Sequence, residues 1–162
     1  MVAMRDKTET DRLFELLSSV VDPEIPVLTL QDLGVLRDIS ITGGEVKVTI
    51  TPTYAGCPAM ETMRADIEST LAAAGYKQVI VQQNLSPAWS TDWMSQSGRE
   101  KLRAYGIAPP VSTACGQAGG QIECPQCNSA EVKLISEFGS TACKALYRCQ
   151  DCREPFDYFK CI

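Results

Sequence analysis

Sulfur is the chemistry this sequence offers. Its 162 residues hold eight cysteines and no histidine. Every route that needs an imidazole is therefore closed: the Ser-His-Asp triad, the Cys-His dyad, the HExxH zinc site and the 2-His-1-carboxylate iron site. A bound metal must be held by thiolate or carboxylate. Cys57 stands alone in residues 1–110, whereas residues 111–162 carry Cys115, Cys124, Cys127, Cys143, Cys149, Cys152 and Cys161. No apolar run of signal-peptide length opens the chain, so we expect a cytoplasmic protein. Thiols stay reduced there, and cysteines read as ligands or reactive groups before disulfides.

Cys124-Pro-Gln-Cys127 and Cys149-Gln-Asp-Cys152 are two CxxC pairs separated by 21 residues. Four thiolates so arranged form a tetrahedral Zn(II) site, with Zn–S near ~2.3 Å. The spacer is slightly longer than is usual, because two strands must fit within it. An iron–sulfur cluster on the same four cysteines is the rival reading. A thioredoxin-type redox pair would instead be a single CxxC beside a βαβ unit. Cys143 and Cys161 are expected to neighbour each other beneath the metal, either as packing or as accessory thiols. Cys115 is incidental.

Cys57 sits in Tyr54-Ala55-Gly56-Cys57-Pro58, between a strand ending near Thr51-Pro52 and a helix starting at Pro58. Unpaired amides and the positive end of the helix dipole favour an anion there, and a thiol in that place shifts toward thiolate. Such a thiolate binds iron or zinc, or attacks a disulfide. The alternative is a small apolar residue filling a core corner. Asp22, Glu24 and Asp32 are candidate acidic assistants, able to donate oxygen or orient the thiol; otherwise they cap turns and helix ends.

These groups need elements to position them. Leu13, Leu16, Leu17 and Val20 form a helical stripe, with Thr8 and Asp11 as a capping signal, and Pro23 and Pro26 interrupt the chain after it. Val35, Ile39 and Ile41 alternate on a strand, Thr42-Gly43-Gly44 turns, and Val46, Val48 and Ile50 alternate on the next, giving a hairpin. Met60, Met63, Ile67 and Leu71 line a second helix that stops at Gly75. A strand over 78–83 and a weaker helix over 96–105 follow. The order α-β-β-α-β-α predicts an α+β fold, a small α/β sandwich with helices against one sheet.

We expect three segments: an α/β domain over 1–105, a flexible Pro/Gly/Ala/Ser-rich linker over 106–120, and a cysteine-rich β zinc ribbon over 121–162. The ribbon's strands are read at 132–136, 144–148 and 155–160, with Phe138-Gly139-Ser140 as a turn. About 40 residues cannot fold on an apolar core alone, so the metal must supply much of the folding free energy. The net charge is -5. Residues 111–162 hold five basic against six acidic side chains, which argues against nucleic acid as the partner. No apolar run is long enough for a membrane span.

Several motifs resemble known families. Asp22-Pro23-Glu24-Ile25-Pro26, Asp32-Leu33-Gly34-Val35, the strand Val46 to Thr53 and Gly56-Cys57-Pro58 resemble the iron–sulfur assembly domain of SufT-like proteins over about residues 8–106. Gly98-Arg99-Glu100-Lys101-Leu102 through Pro110, Phe138 through Cys149, and Glu154-Pro155-Phe156-Asp157-Tyr158-Phe159-Lys160-Cys161 resemble the PaaD family of the phenylacetyl-CoA epoxidase system over essentially the whole chain. That resemblance implies a cytoplasmic component of aerobic phenylacetate degradation. It places the protein beside an oxygenase with a diiron subunit and a reductase carrying flavin and a [2Fe–2S] cluster. It maps the family cysteine onto Cys57 and the ribbon ligands onto Cys124, Cys127, Cys149 and Cys152.

Three functions compete. In the first the protein is a non-catalytic metallocentre assembly factor. Cys57 transiently holds iron or an iron–sulfur fragment, in a homodimer if two copies share it, while the ribbon docks the oxygenase or reductase subunits. In the second it is a stoichiometric structural or electron-transfer subunit of the epoxidase. In the third Cys57 is a catalytic nucleophile, which the lack of any histidine disfavours.

Overall fold

The computed structural model describes residues 7–111 and 120–161. The chain divides into two compact units, Met1–Trp89 and Ser90–Ile162.

In the first unit, α1 (Lys7–Leu17) is followed by a short α2 (Leu30–Leu33), β1 (Leu36–Thr42), β2 (Glu45–Ile50), α3 (Ala59–Ala73) and β3 (Gln78–Gln83). The sheet order is β1-β2-β3. β1 and β2 form the antiparallel hairpin expected around Gly43-Gly44, whose φ values of 58° and 85° require glycine. β3 returns parallel to β2 through α3, in register from Glu45↔Gln78 to Ile50↔Gln83. The apolar stripes bury together: Leu13 and Leu17 of α1, Met63, Ile67 and Leu71 of α3, and Ile39, Val46, Val48 and Ile50 of the sheet.

α1 ends at Leu17, six residues before Pro23, the first of the two prolines expected to end it. Two details here escape periodicity. α2 has only four residues and is held by a capping box: Thr29 Oγ1 accepts from the Asp32 amide at 3.0 Å and Asp32 Oδ2 accepts from the Thr29 amide at 3.2 Å. Trp89 is 3% exposed, and its indole N–H donates to the Leu33 carbonyl at 2.8 Å.

The second unit holds a 3-10 turn (Thr91–Trp93), α4 (Gln96–Tyr105), β4 (Ile107–Ala108), β5 (Val132–Ser136), β6 (Lys144–Cys149) and β7 (Pro155–Phe159). Its sheet order is β4-β7-β6-β5. The two compact units thus meet between Trp89 and Ser90, where the sequence reading takes its first domain as 1–105. The expected linker over 106–120 begins with ordered chain, since Ile107 and Ala108 are buried and pair in parallel with Asp157 and Tyr158. Arg99 explains this ordering: its guanidinium donates to the Pro110 and Thr91 carbonyls, each at 2.8 Å. Cys115 lies outside the described residues. Ala108, Cys124, Ala145, Cys149, Phe156 and Tyr158 form the unit's apolar cluster, with Tyr147 packed edge-on to Tyr158.

Candidate metal centre and the Cys57 pocket

The two CxxC segments fold as near copies. In each, the amide of the first cysteine donates to the carbonyl five residues on, Cys124 to Ser129 at 2.8 Å and Cys149 to Glu154 at 3.0 Å. In each, the residue after the second cysteine takes a left-handed conformation, Asn128 at φ 63° and Arg153 at φ 66°. This geometry turns both sulfurs of a pair to one side. The four Sγ atoms lie within 4.8 Å of one another, with Cys124–Cys152 at 3.6 Å and Cys127–Cys149 at 3.5 Å. A tetrahedral ion with ~2.3 Å bonds to sulfur needs ligands about 3.8 Å apart. The donor set fits a single soft ion.

Without a metal these thiols cannot ionise together. Burial pushes the Cys149 thiol up, but the amides of Cys152 and Asp151 and the thiols of Cys127 and Cys152 outweigh it and bring it down to about 6. At Cys152 the Glu154 amide favours the thiolate, yet desolvation and the three neighbouring sulfurs push the thiol up to about 12. Metal entry must expel the remaining protons.

Cys143 and Cys161 stand on neighbouring chain, since the Lys160 amide donates to the Cys143 carbonyl at 2.9 Å, but their sulfurs differ in state. Cys143 is buried with its sulfur 3.0 Å from Thr141 Oγ1. Cys161 is disulfide-bonded and lies 3.6 Å from Thr91 Oγ1, so it is not the free thiol expected. α4 contributes a side chain that sequence reasoning missed: Arg103 donates to Asn128 Oδ1 and to Glu123 Oε2, buttressing the first pair from outside.

In the first unit, Cys57 precedes α3 by two residues, and Pro58 is the residue that caps it. Gly56, at φ 78°, makes the turn that presents Cys57. Cys57 is 9% exposed and lines a surface cavity of about 250 Å³ with Pro52, Pro58, Met60, Glu61, Gln83 and Leu85. The charge expected of it is corrected. Burial pushes the Cys57 thiol up, more than the Ala59 amide and the Tyr54 side chain pull it down, and the charges of Glu24 and Asp22 push it further up. At neutral pH Cys57 is a thiol, and an arriving cation must displace its proton.

The acidic candidates have structural tasks. Asp22 is buried, and its Oδ1 accepts from the amides of Glu24 at 2.7 Å and Ile25 at 2.8 Å, pinning the turn at Pro23. Asp32 belongs to the capping box of α2. Asp22 and Glu24 nevertheless act on Cys57 through their charge. The role of Tyr54 was missed; it carries no signal beyond standing three residues before Cys57.

Comparison with known proteins gives each unit a counterpart. Residues 108–160 match the PaaD zinc beta ribbon domain, and residues 10–81 match a family described as iron-sulfur cluster assembly protein. The chain is 50% identical over 155 residues, 95% of its length and 94% of the relative's, to an Escherichia coli (strain K12) protein named as one subunit of a "Putative 1,2-phenylacetyl-CoA epoxidase". It is 34% identical over 98 residues, 59% of its length and 91% of the relative's, to a Porphyromonas gingivalis "Fe-S protein maturation auxiliary factor". A DUF59 domain from Bacillus anthracis superposes with a TM-score of 0.56 at 24% identity, covering 59% of this chain and 92% of that one. That likeness speaks to the fold of the first unit alone.

Proposed function

The chain belongs to the PaaD family, and on that premise we propose that it is a non-catalytic accessory factor of a phenylacetyl-CoA epoxidase system that helps build or repair a metal centre. The observation that carries this reading is the pairing of a cavity-lining thiol, in a unit matching iron–sulfur assembly proteins, with a separate four-thiolate unit. In this reading Cys57 takes the cargo, iron or an iron–sulfur fragment. Asp22 and Glu24 attract a cation to the thiol while keeping it protonated until one arrives. A second copy or the client supplies the remaining ligands, since Cys57 is the lone cysteine of residues 1–110. There is no histidine to serve as a general base, which suits transfer better than turnover.

The ribbon ligands are Cys124, Cys127, Cys149 and Cys152, and the ion is Zn(II). A cluster would seat each sulfur on a different iron or on opposite sides of a larger core, whereas all four sulfurs here lie within one ion's reach. The ribbon's task is to hold the protein against a subunit of the oxygenase or reductase.

The relative's name as a subunit favours a second reading, a stoichiometric component of the epoxidase. Anaerobic purification tests both readings. The first expects one zinc per chain, no visible absorption at rest, and an Fe(II)-dependent Mössbauer signal lost in Cys57→Ser. A resident chromophore, or equimolar co-purification with the oxygenase, would favour the second. Iron binding that is indifferent to Cys57 would reject the first.

A further inference from the structure

One face of the ribbon carries charge that its own packing does not use. Lys133 of β5 and Arg148 of β6 are cross-strand partners, and both are exposed. Directly opposed like charges destabilise a sheet unless something compensates them. Arg153 completes the group: Arg148 Nε donates to the Arg153 carbonyl at 3.1 Å. Among the described residues none of the three cations forms an ion pair. Arg103 and Lys144, by contrast, pair with Glu123 at 3.3 Å and Asp157 at 3.8 Å. The acids near them in sequence do not take them up: among the described residues Glu131 and Glu154 form no ion pair, and Asp151 accepts from the Ser129 hydroxyl. Arg148, Cys149, Gln150 and Arg153 line a groove of about 250 Å³.

Two arginines beside four thiolates also offset their charge. That does not account for Lys133, which stands on β5, outside both CxxC pairs. The neighbours of Lys133 point to the kind of ligand. β5 is the edge of the sheet, and among the described residues β6 is its one strand partner. Leu134 is 43% and Ile135 53% exposed on that edge. An inorganic anion has no use for apolar side chains or an open strand edge; an extended polypeptide uses both.

We propose that the groove lined by Arg148, Gln150 and Arg153, with Lys133 and the β5 edge beside it, docks an acidic segment of a partner polypeptide. Carboxylates on the segment meet the guanidinium pair and Lys133, and its apolar side chains cover Leu134 and Ile135. The inference rests on the reading that the ribbon engages an epoxidase subunit, and it names where and by what chemistry.

The test titrates the zinc-loaded full chain with hexaglutamate, following amide resonances by NMR. We expect shifts at residues 131–136 and 147–154. Binding should weaken with salt, and should be about tenfold weaker in the combined Arg148→Gln and Arg153→Gln variant. Lys133→Glu, outside both CxxC pairs, must also weaken it, and it decides the matter if the arginine variant loses zinc. The control Lys47→Gln must leave it unchanged. Shifts that are absent or scattered, a control that weakens binding equally, or inorganic phosphate displacing the peptide from the same amides would overturn the proposal. With each purified epoxidase subunit, a complex lost in Lys133→Glu supports the inference. A complex unaffected by that change overturns it and leaves the partner reading standing. If wild type forms no complex, the partner reading falls and the hexaglutamate result alone judges the groove.

Discussion

At the residue scale the surroundings of Cys57 do two opposing things. Burial and the charges of Asp22 and Glu24 hold its proton on, while the Ala59 amide and Tyr54 stand ready to support the thiolate. In metal-free protein, alkylation of Cys57 at pH 7.5 should be slower than that of a peptide thiol, and its rate should still be rising above pH 9. Glu24→Gln removes a charge that opposes ionisation, so it should speed the reaction. A rate profile matching a peptide thiol, or a slower Glu24→Gln, would contradict this. The linkage has a definite sign. The folded pKa lies above the unfolded one, so the contribution to stability is whole below about pH 9 and is lost as pH climbs through the folded value. Among the ribbon cysteines, Cys149 is down to about 6 and is already ionised at neutral pH, whereas Cys152 at about 12 is not. Zinc uptake at pH 7.4 should therefore release fewer than four protons per ion, a count that pH-stat titration reads directly. The position of Cys57 beside a helix start was legible from Gly56-Cys57-Pro58. Its charge was not, because that depends on burial and on carboxylates more than 30 residues away in sequence.

At the scale of elements, local signals served well. β3, α4 and β5 fall at 78–83, 96–105 and 132–136 as expected, because alternation and capping residues mark them. The failures have physical causes. α2 is too short for a period to show. β1 carries an irregularity between Leu36 and Asp38, so its buried Leu36 and Ile39 are three apart and break strict alternation. β4 hides in a stretch whose Pro and Gly content resembles a linker, and it forms because Arg99 ties Pro110 to Thr91. The repeated left-handed residues of the two knuckles yield a prediction. Asn128→Val places a β-branched side chain at φ 63° and removes the Arg103 contact. It should destabilise the metal-loaded ribbon by about 2 kcal/mol, seen as zinc loss at lower chelator concentration. Trp89→Phe keeps an aromatic ring but loses the 2.8 Å bond to Leu33, leaving that carbonyl without the indole donor. It should cost about 1–3 kcal/mol in denaturant unfolding of the first unit.

At the scale of the molecule, the two units differ in what holds them. The first is built on apolar residues from two helices and a sheet. The second buries a small cluster in which two of six members, Cys124 and Cys149, belong to the four-sulfur group able to hold a metal ion. Removing the metal should therefore release the amide protection of residues 132–159 while that of α1, α3 and β1–β3 persists, in hydrogen exchange with and without chelator. Equal protection in both states would show that the ribbon folds without its ion. The transfer role is tested most directly by the iron content of the client. Epoxidase purified from cells whose chain carries Cys57→Ala, with the fold of that variant verified, should be poor in iron and correspondingly inactive. Epoxidase fully loaded with iron and fully active in that strain would contradict the account.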